Sequence, residues 1–454
     1  MMQHEISQRP TLTGHGIGNI KAHNLRAVLL TLLRQGPTSR VRLAQLTGLS
    51  TTTITNLIAA LLEQGIVTET GKEGAAETRG GNGRTGAGRP PTLVSIIPAA
   101  RCAAGIHFGV DTVRVGVTDL FGNLLSYSVM SHPTDIASAD LLEKVVSLAD
   151  DVIARGCPDR SALVGVGVGA SGLVDPETGT NVLAPNLGWR NVPMRAIFSQ
   201  RLKTPVFVDN NVRAMALAEA MFGAGRGANT LAFVYSRVGV GAGFVVNGDV
   251  YRGTRAGAGE IGHTTMIPAG GAPCRCGNTG CLETLVSEPE IVRQAQVLAA
   301  RAPDSILAAE LTKDERRKTK DDLAAEAFIP RPSSFVAEIG PDDGPDTPIE
   351  RVFAAARAGD RETQAMLDER AMYMGTALAN LVTLINPDTI ILGGLFATGA
   401  DLLLQRVEET MRRRAFAGLG DAVALRVTSF GRKVGAVGAA ALALDAFFYR
   451  QETG

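Results

Sequence analysis

Three of the chain's five cysteines and one of its six histidines fall within nineteen consecutive positions, His263 to Cys281. Ten residues separate His263 from Cys274, and the cysteines follow as Cys274-x-Cys276-x4-Cys281. One imidazole and three thiolates form a complete tetrahedral donor set for zinc. With no coordination position left for water or substrate, such a site is structural. The intervening glycines let the backbone curl around a small ion. Glu260 and Glu283 bracket the block without being needed to fill it, so their carboxylates are free to point elsewhere. The alternative, three buried thiols and a satisfied histidine, does not account for such tight clustering.

A second kind of chemistry lies near the start. Residues 1–90 hold ten Lys/Arg against five Asp/Glu, leaving 35 basic and 40 acidic residues in the remainder of a chain with zero net charge. No acidic residue occurs between Glu5 and Glu63, whereas Arg9, Lys21, Arg26, Arg34, Arg40 and Arg42 all fall in that window. A basic segment on a mildly acidic body points to polyanion binding. Leu25, Val28, Leu29, Leu32 and Leu33 repeat with helical period, and Gly36-Pro37 ends the run. Ser39 is placed to cap a second helix carrying Val41, Leu43, Ala44 and Leu46. Ser50 is placed to cap a third, with Ile54, Leu57, Ile58, Leu61 and Leu62 as its buried stripe.

The opposite face of that third helix carries short hydrogen-bonding side chains suited to phosphates and base edges. Ser50, Thr51, Thr52, Thr53, Thr55 and Asn56, with Arg40, are the candidate DNA-contacting set. Residues 66–69 and 92–96 are expected to pair as wing strands. Between them Gly71 to Pro91 holds seven glycines and reads as wing tip and linker, where Arg79, Arg84 and Arg89 could follow the phosphate backbone. A small helical dimerisation bundle is the competing reading; the three-helix spacing and missing acidic charge favour DNA.

The 454 residues suffice for two or three domains, and 45% hydrophobic with 20% charged residues excludes a disordered chain. Cys102 and Cys157, the two cysteines outside the cluster, are poor evidence for a disulfide framework and suit a reducing cytoplasm. No signal-type apolar core and no apolar run of membrane length is present, so a soluble cytoplasmic protein with no membrane contact is expected. From residue 101 strands alternate with helices. Strands are expected at 102–108, 112–118, 124–129, 163–168, 205–208, 231–235, 243–246 and 389–392. Helices are expected at 141–154, 212–221, 362–385 and 434–448. That order predicts two α/β lobes with a cleft between them. Residues 301–348 read as a polar surface insertion with one short helix.

The whole chain resembles the ROK family (repressor, open reading frame, kinase). The resemblance rests on the head up to Gly65, Gly88-Arg89-Pro90, Gly172-Leu173-Val174-Asp175, Ala184-Pro185-Asn186-Leu187-Gly188-Trp189, Asp209-Asn210-Asn211, the Glu260–Glu283 block and Ile391-Leu392-Gly393-Gly394. It implies an N-terminal winged helix-turn-helix (1–70), a glycine-rich linker (71–98) and a two-lobed, actin-like (ribonuclease H-like) sugar-kinase fold (99–454). The first lobe would take about 99–210 with a C-terminal helix at 434–450, and the second about 211–433. It also implies sugar contacts at Asn186, Asn210, Asn211, Glu260, His263 and Glu283, with structural zinc on His263, Cys274, Cys276 and Cys281. Carboxylates and amides suit vicinal hydroxyls, and a metal-bound histidine can offer its second ring nitrogen.

Three departures from the kinase pattern matter. The family's kinases carry an aspartate, the general base, where this chain has Asn211; a carboxamide orients a hydroxyl but takes no proton near neutral pH. Asp209, two residues away, is the only nearby substitute, and reach matters to within about an ångström. His107 stands where the kinases have an aspartate near metal and phosphates, and Arg237-Val238 replaces a phosphate-binding Gly-Thr. The expectation is therefore a non-catalytic regulator, a repressor of carbohydrate genes that acts on double-stranded operator DNA as a homodimer or homotetramer and responds to a carbohydrate effector. The alternatives are a residual hexose or hexosamine kinase and a sensor of a partner protein.

Overall fold

The computed structural model describes residues 17–72, 92–133, 136–312 and 347–450. The described residues up to Arg101, with those from Asp445 onward, form one compact unit, and Cys102–Leu444 forms the other. No helix among the described residues is long and apolar enough to cross a membrane.

The head opens with α1 (Ile17–Gln35), β1 (Thr38–Ser39), α2 (Arg40–Thr47) and α3 (Thr51–Glu63). Gly36 ends α1 at φ 74° and Gly48 ends α2 at φ 71°, both left-handed positions that glycine takes without strain. Ser39 Oγ accepts from Arg42 N–H at 3.4 Å and Ser50 Oγ from Thr53 N–H at 3.1 Å, so both expected caps are made. Val28, Leu29, Leu32, Leu43, Ile54, Ile58 and Leu61 are buried among these helices. Val41 and Leu46, expected inside, are 56% and 40% exposed, because an eight-residue helix turns only one narrow stripe inward and Leu43 fills it. Strands β2 (Val67–Lys72) and β3 (Thr92–Ile96) pair antiparallel as expected, and β1 adds on the other side of β3, with Thr38 opposite Val94. The intervening residues 73–91, including Arg79, Arg84 and Arg89, lie outside the described residues.

In the body, β4 (Cys102–Phe108), β5 (Thr112–Asp119), β6 (Leu124–Ser131), β7 (Leu163–Ala170) and β11 (Val206–Asn210) form a sheet ordered β11-β7-β4-β5-β6. A small antiparallel sheet of β8 (Leu173–Asp175), β9 (Thr180–Ala184) and β10 (Trp189–Val192) interrupts it. A second large sheet joins β12 (Thr230–Ser236), β13 (Val240–Val246), β14 (Asp249–Tyr251), β15 (Thr389–Gly394) and β16 (Ala424–Val427) in the order β14-β13-β12-β15-β16. Numbered within each lobe, both sheets run 3-2-1-4-5, an antiparallel meander followed by two parallel strands, so one topology occurs twice. Each lobe has its own core, built around Ile106, Val115, Val168 and Val208 in one and Val234, Leu378, Ile390 and Leu392 in the other.

The helix Val434–Ala443 lies against β4 and β7, where a Cβ on Gly105 or Gly167 would collide with the carbonyl of Ala436 or Ala439. Glycine at those two strand positions is what admits the helix. Residues Asp445 onward group with the head, whereas the sequence reading gives all of 434–450 to the first lobe. Cys102 and Cys157 are disulfide-bonded, with Cα atoms 6.4 Å apart, contrary to the expectation of two free thiols. The start of β4 and the residue after the helix Ser138–Gly156 are brought together by that helix packing back over the sheet, which a separation of 55 residues conceals. The helix Ile306–Leu311 buries Leu307 within the second lobe's core; residues 313–346 of the expected insertion are outside the described part.

Candidate functional site

The four expected metal ligands converge, their donor atoms all lying within 4.8 Å of one another. Cys276 Sγ is 3.7 Å from Cys281 Sγ, and Cys274 Sγ is 3.6 Å from Nδ1 of His263. A tetrahedron with metal–sulfur bonds of about 2.3 Å has edges of roughly 3.8 Å, so these separations suit a single ion. Burial and the neighbouring thiols push the Cys281 thiol up to about 12, while hydrogen bonds from the Asn278 backbone and Cys274 lower Cys276. Backbone bridges Thr265–Cys281 and Pro273–Thr279 fold the loop back on itself. Because Nδ1 faces the thiols, Nε2 of His263 is turned away from them.

Arg275, between two ligand cysteines, donates to Oδ1 of Asn186 at 2.7 Å. The loop is thereby tied to the first lobe by a residue that the sequence reading passed over, although its place inside the ligand motif was a signal. At the block's other end Glu283 Oε2 accepts from Val240 N–H at 3.0 Å, binding the metal loop to the turn that begins at Arg237. Glu260 is exposed at the start of the 3-10 turn Ile261–His263.

Asn210 is the N-cap of the helix Asn211–Met221: its Oδ1 accepts from Val212 and Arg213 N–H, and its Nδ2 donates to Gly172 O at 2.9 Å. Only one amide hydrogen is then left for another partner. Asn211, 8% exposed, donates from Nδ2 to Ser171 Oγ at 3.1 Å, and Ser171 in turn donates to Phe108 O. Asp209 is fully buried and held by two guanidiniums, Arg213 at 2.6 Å and Arg252 at 2.9 Å. It cannot accept a substrate proton while so paired and enclosed. Arg213 also donates to Ala256 O, anchoring the turn where Arg255 and Ala256 take positive φ, just before Glu260. The sequence reading missed Arg213 and Arg252; the four-residue spacing of Asp209 and Arg213 was a visible signal, and Arg252 had none.

The two turns expected to hold phosphate are altered in the same sense. Arg237 reaches across to Asp111 at 3.3 Å and to Glu288 at 3.7 Å. His107 is 3% exposed with neither ring nitrogen hydrogen-bonded, and burial followed by the charges of Arg114 and Arg237 lowers it to about 3.

In the head, Thr51, Thr52, Thr55 and Asn56 are exposed at the start of α3. Ser50 is spent on its cap, and its hydroxyl also bonds that of half-buried Thr53 at 2.9 Å. Arg40 pairs with Glu69 on β2 at 2.9 Å, and Arg89 lies outside the described residues.

Comparisons with known proteins agree with this layout. The ROK family model matches residues 103–446, and a winged helix-turn-helix DNA-binding model matches residues 22–68. The chain is 29% identical over 397 residues to the xylose repressor of Caldicellulosiruptor bescii, covering 87% of this chain and 89% of that protein. It is 31% identical over 339 residues to a glucokinase of Halalkalibacterium halodurans, covering 74% of this chain and 93% of that one. The crystal structure of a ROK family transcriptional regulator, a homologue of the E. coli MLC protein, superposes with a TM-score of 0.73 at 24% identity, covering 95% and 98% of the two chains.

Proposed function

Because the chain belongs to the ROK family and carries a winged helix-turn-helix DNA-binding head, we propose that it is a transcriptional repressor of carbohydrate uptake or use. A sugar or sugar derivative would bind in a kinase-like cleft that performs no phosphoryl transfer. The observation that carries this reading is the state of the would-be base: Asn211 is a carboxamide, and the nearest carboxylate, Asp209, is buried between Arg213 and Arg252. Loss of a general base costs about two to four orders of magnitude in rate. The likeness to a glucokinase covers 74% of this chain and leaves that base unsupplied.

Glu260, His263 and Glu283, with Asn211 and Asn186, would meet the sugar hydroxyls, and Asn210 would add its one remaining N–H. His263, Cys274, Cys276 and Cys281 would hold zinc, which when bound supplies a fixed tetrahedral anchor for the loop. The protein's own contribution is orientation: Nδ1 of His263 turned to the thiols keeps Nε2 for a hydroxyl, and Glu283 holds the Arg237 turn by its other oxygen. Thr51, Thr52, Thr55 and Asn56 would read the operator, Arg40 and Arg89 contacting phosphates while Ser50 and Thr53 keep the helix start in shape. In a cytoplasmic homodimer or homotetramer, two heads must meet half-sites about one helical turn apart, so ligand-driven closure that re-spaces them changes affinity.

The test is titration of a carbohydrate panel against the protein on its operator. At least one sugar is expected to shift operator affinity tenfold or more, and a complex indifferent to every carbohydrate would sink the proposal.

A further inference from the structure

The second cleft of the body lies apart from the metal loop. It encloses about 640 Å³, its open mouth included, and draws its walls from both lobes. Arg114 and His107 face it from the first sheet, and Arg237, Glu288 and Arg432 from the second lobe and the segment after it. The first turns of two helices, Phe396–Arg414 and Val434–Ala443, also line it, and neither has a side-chain cap. Helix N-termini offer backbone N–H groups and a partial positive charge to an anion. His107 is buried against Gly435 with both ring nitrogens unpartnered, a polar group facing the cleft that nothing in the fold itself uses.

Asp111 and Glu288 hold Arg237, and Glu350 holds Arg432. Arg114 donates one nitrogen to the Thr112 hydroxyl at 2.8 Å, and it runs opposite His107 on the adjoining strand. Burial raises Glu288 above the usual carboxylate range, which weakens its repulsion of an incoming anion. The Arg237–Asp111 pair spans the two turns between which a polyphosphate chain would pass, so the room is for one tetrahedral group and not for a nucleoside triphosphate.

We propose that this cleft binds a single phosphate group, as orthophosphate or as the head of a phosphate monoester, between Arg114, His107 and the two helix N-termini. Occupancy would give the regulator a second input separate from the sugar, since the groups involved are not those around His263. The experiment is calorimetric titration of the full chain, without sugar or DNA, with sodium phosphate and separately with glycerol 3-phosphate, against sodium chloride at equal ionic strength. Saturable binding is expected, with a rise of about 2–4 °C in the melting temperature at saturating excess. Arg114→Gln should weaken it at least tenfold and Arg114→Lys by less, because lysine keeps the charge and loses the fork. Arg293→Gln, on an exposed helix, should leave it unchanged. Tighter binding of the ester than of orthophosphate assigns the site to an esterified ligand, and equal binding assigns it to the free ion. Absence of saturable heat with either probe overturns the proposal. So does binding unaltered in a folded Arg114→Gln protein, or magnesium-ATP binding more tightly than both probes.

Discussion

Two adjacent side chains carry the question of catalysis. Asn211 keeps the position of a base without its basicity, and Asp209 keeps a carboxylate without the freedom to act. Wild type and Asn211→Asp are both expected to show no turnover in an ATP-coupled assay across hexoses, hexosamines and pentoses, because His107 and Arg237 still occupy the phosphate turns. Asp209→Ala leaves the Arg213 guanidinium enclosed without its carboxylate and should destabilise the body by about 3–5 kcal/mol in denaturant unfolding. His107 gives a pH dependence of determined sign. Its folded pKa, about 3, is below the ordinary 6.5, so the unfolded chain binds the extra proton between those values. The stability is whole above about pH 6.5 and declines as the pH falls toward 3. His107→Phe should flatten that part of the stability profile, and an unchanged slope would remove His107 as its source.

Element by element, the head shows how far a periodic pattern reaches. The apolar repeat of α3 and the serine before it specified the helix, its cap and its buried side, since all three are local properties of consecutive residues. The same reasoning over-filled α2, where Val41 and Leu46 face out, and passed over β1, whose two residues are a strand only because β3 arrives beside them. Ser50→Ala should lower the stability of the head by about 1 kcal/mol through the lost cap. Thr52→Ala should leave stability unchanged and weaken operator binding by roughly tenfold, measured by fluorescence anisotropy. Equal operator affinity in that variant would return the threonine face to solvent.

Across the whole molecule, one strand order used twice sets two lobes around the cleft, and the metal loop is tied to both. Arg275 joins it to Asn186, and Glu283 joins it to the turn at Arg237. Removal of the ion should therefore loosen more than the loop. Purified protein is expected to contain about one zinc per chain by elemental analysis, and Cys276→Ser to lose it. The variant should melt several degrees lower and lose its response to sugar. A Cys276→Ser protein with full zinc content and an unshifted melting temperature would exclude that residue as a ligand.

What the sequence determined by itself was chemistry held in short windows: four soft donors at metal spacing, a capped basic three-helix head, alternating strands and helices, and an amide where a base belongs. What the tertiary structure alone decided were pairings between residues far apart in the chain. It joined Cys102 to Cys157 across 55 residues, set Arg252 on Asp209, and turned Asn210 from a candidate sugar contact into a helix cap with one hydrogen to spare. Periodicity and motif spacing report a residue's neighbours along the chain. A buried charge is neutralised by whatever the fold brings within about 3 Å of it, and that is fixed by the packing of helices on sheets.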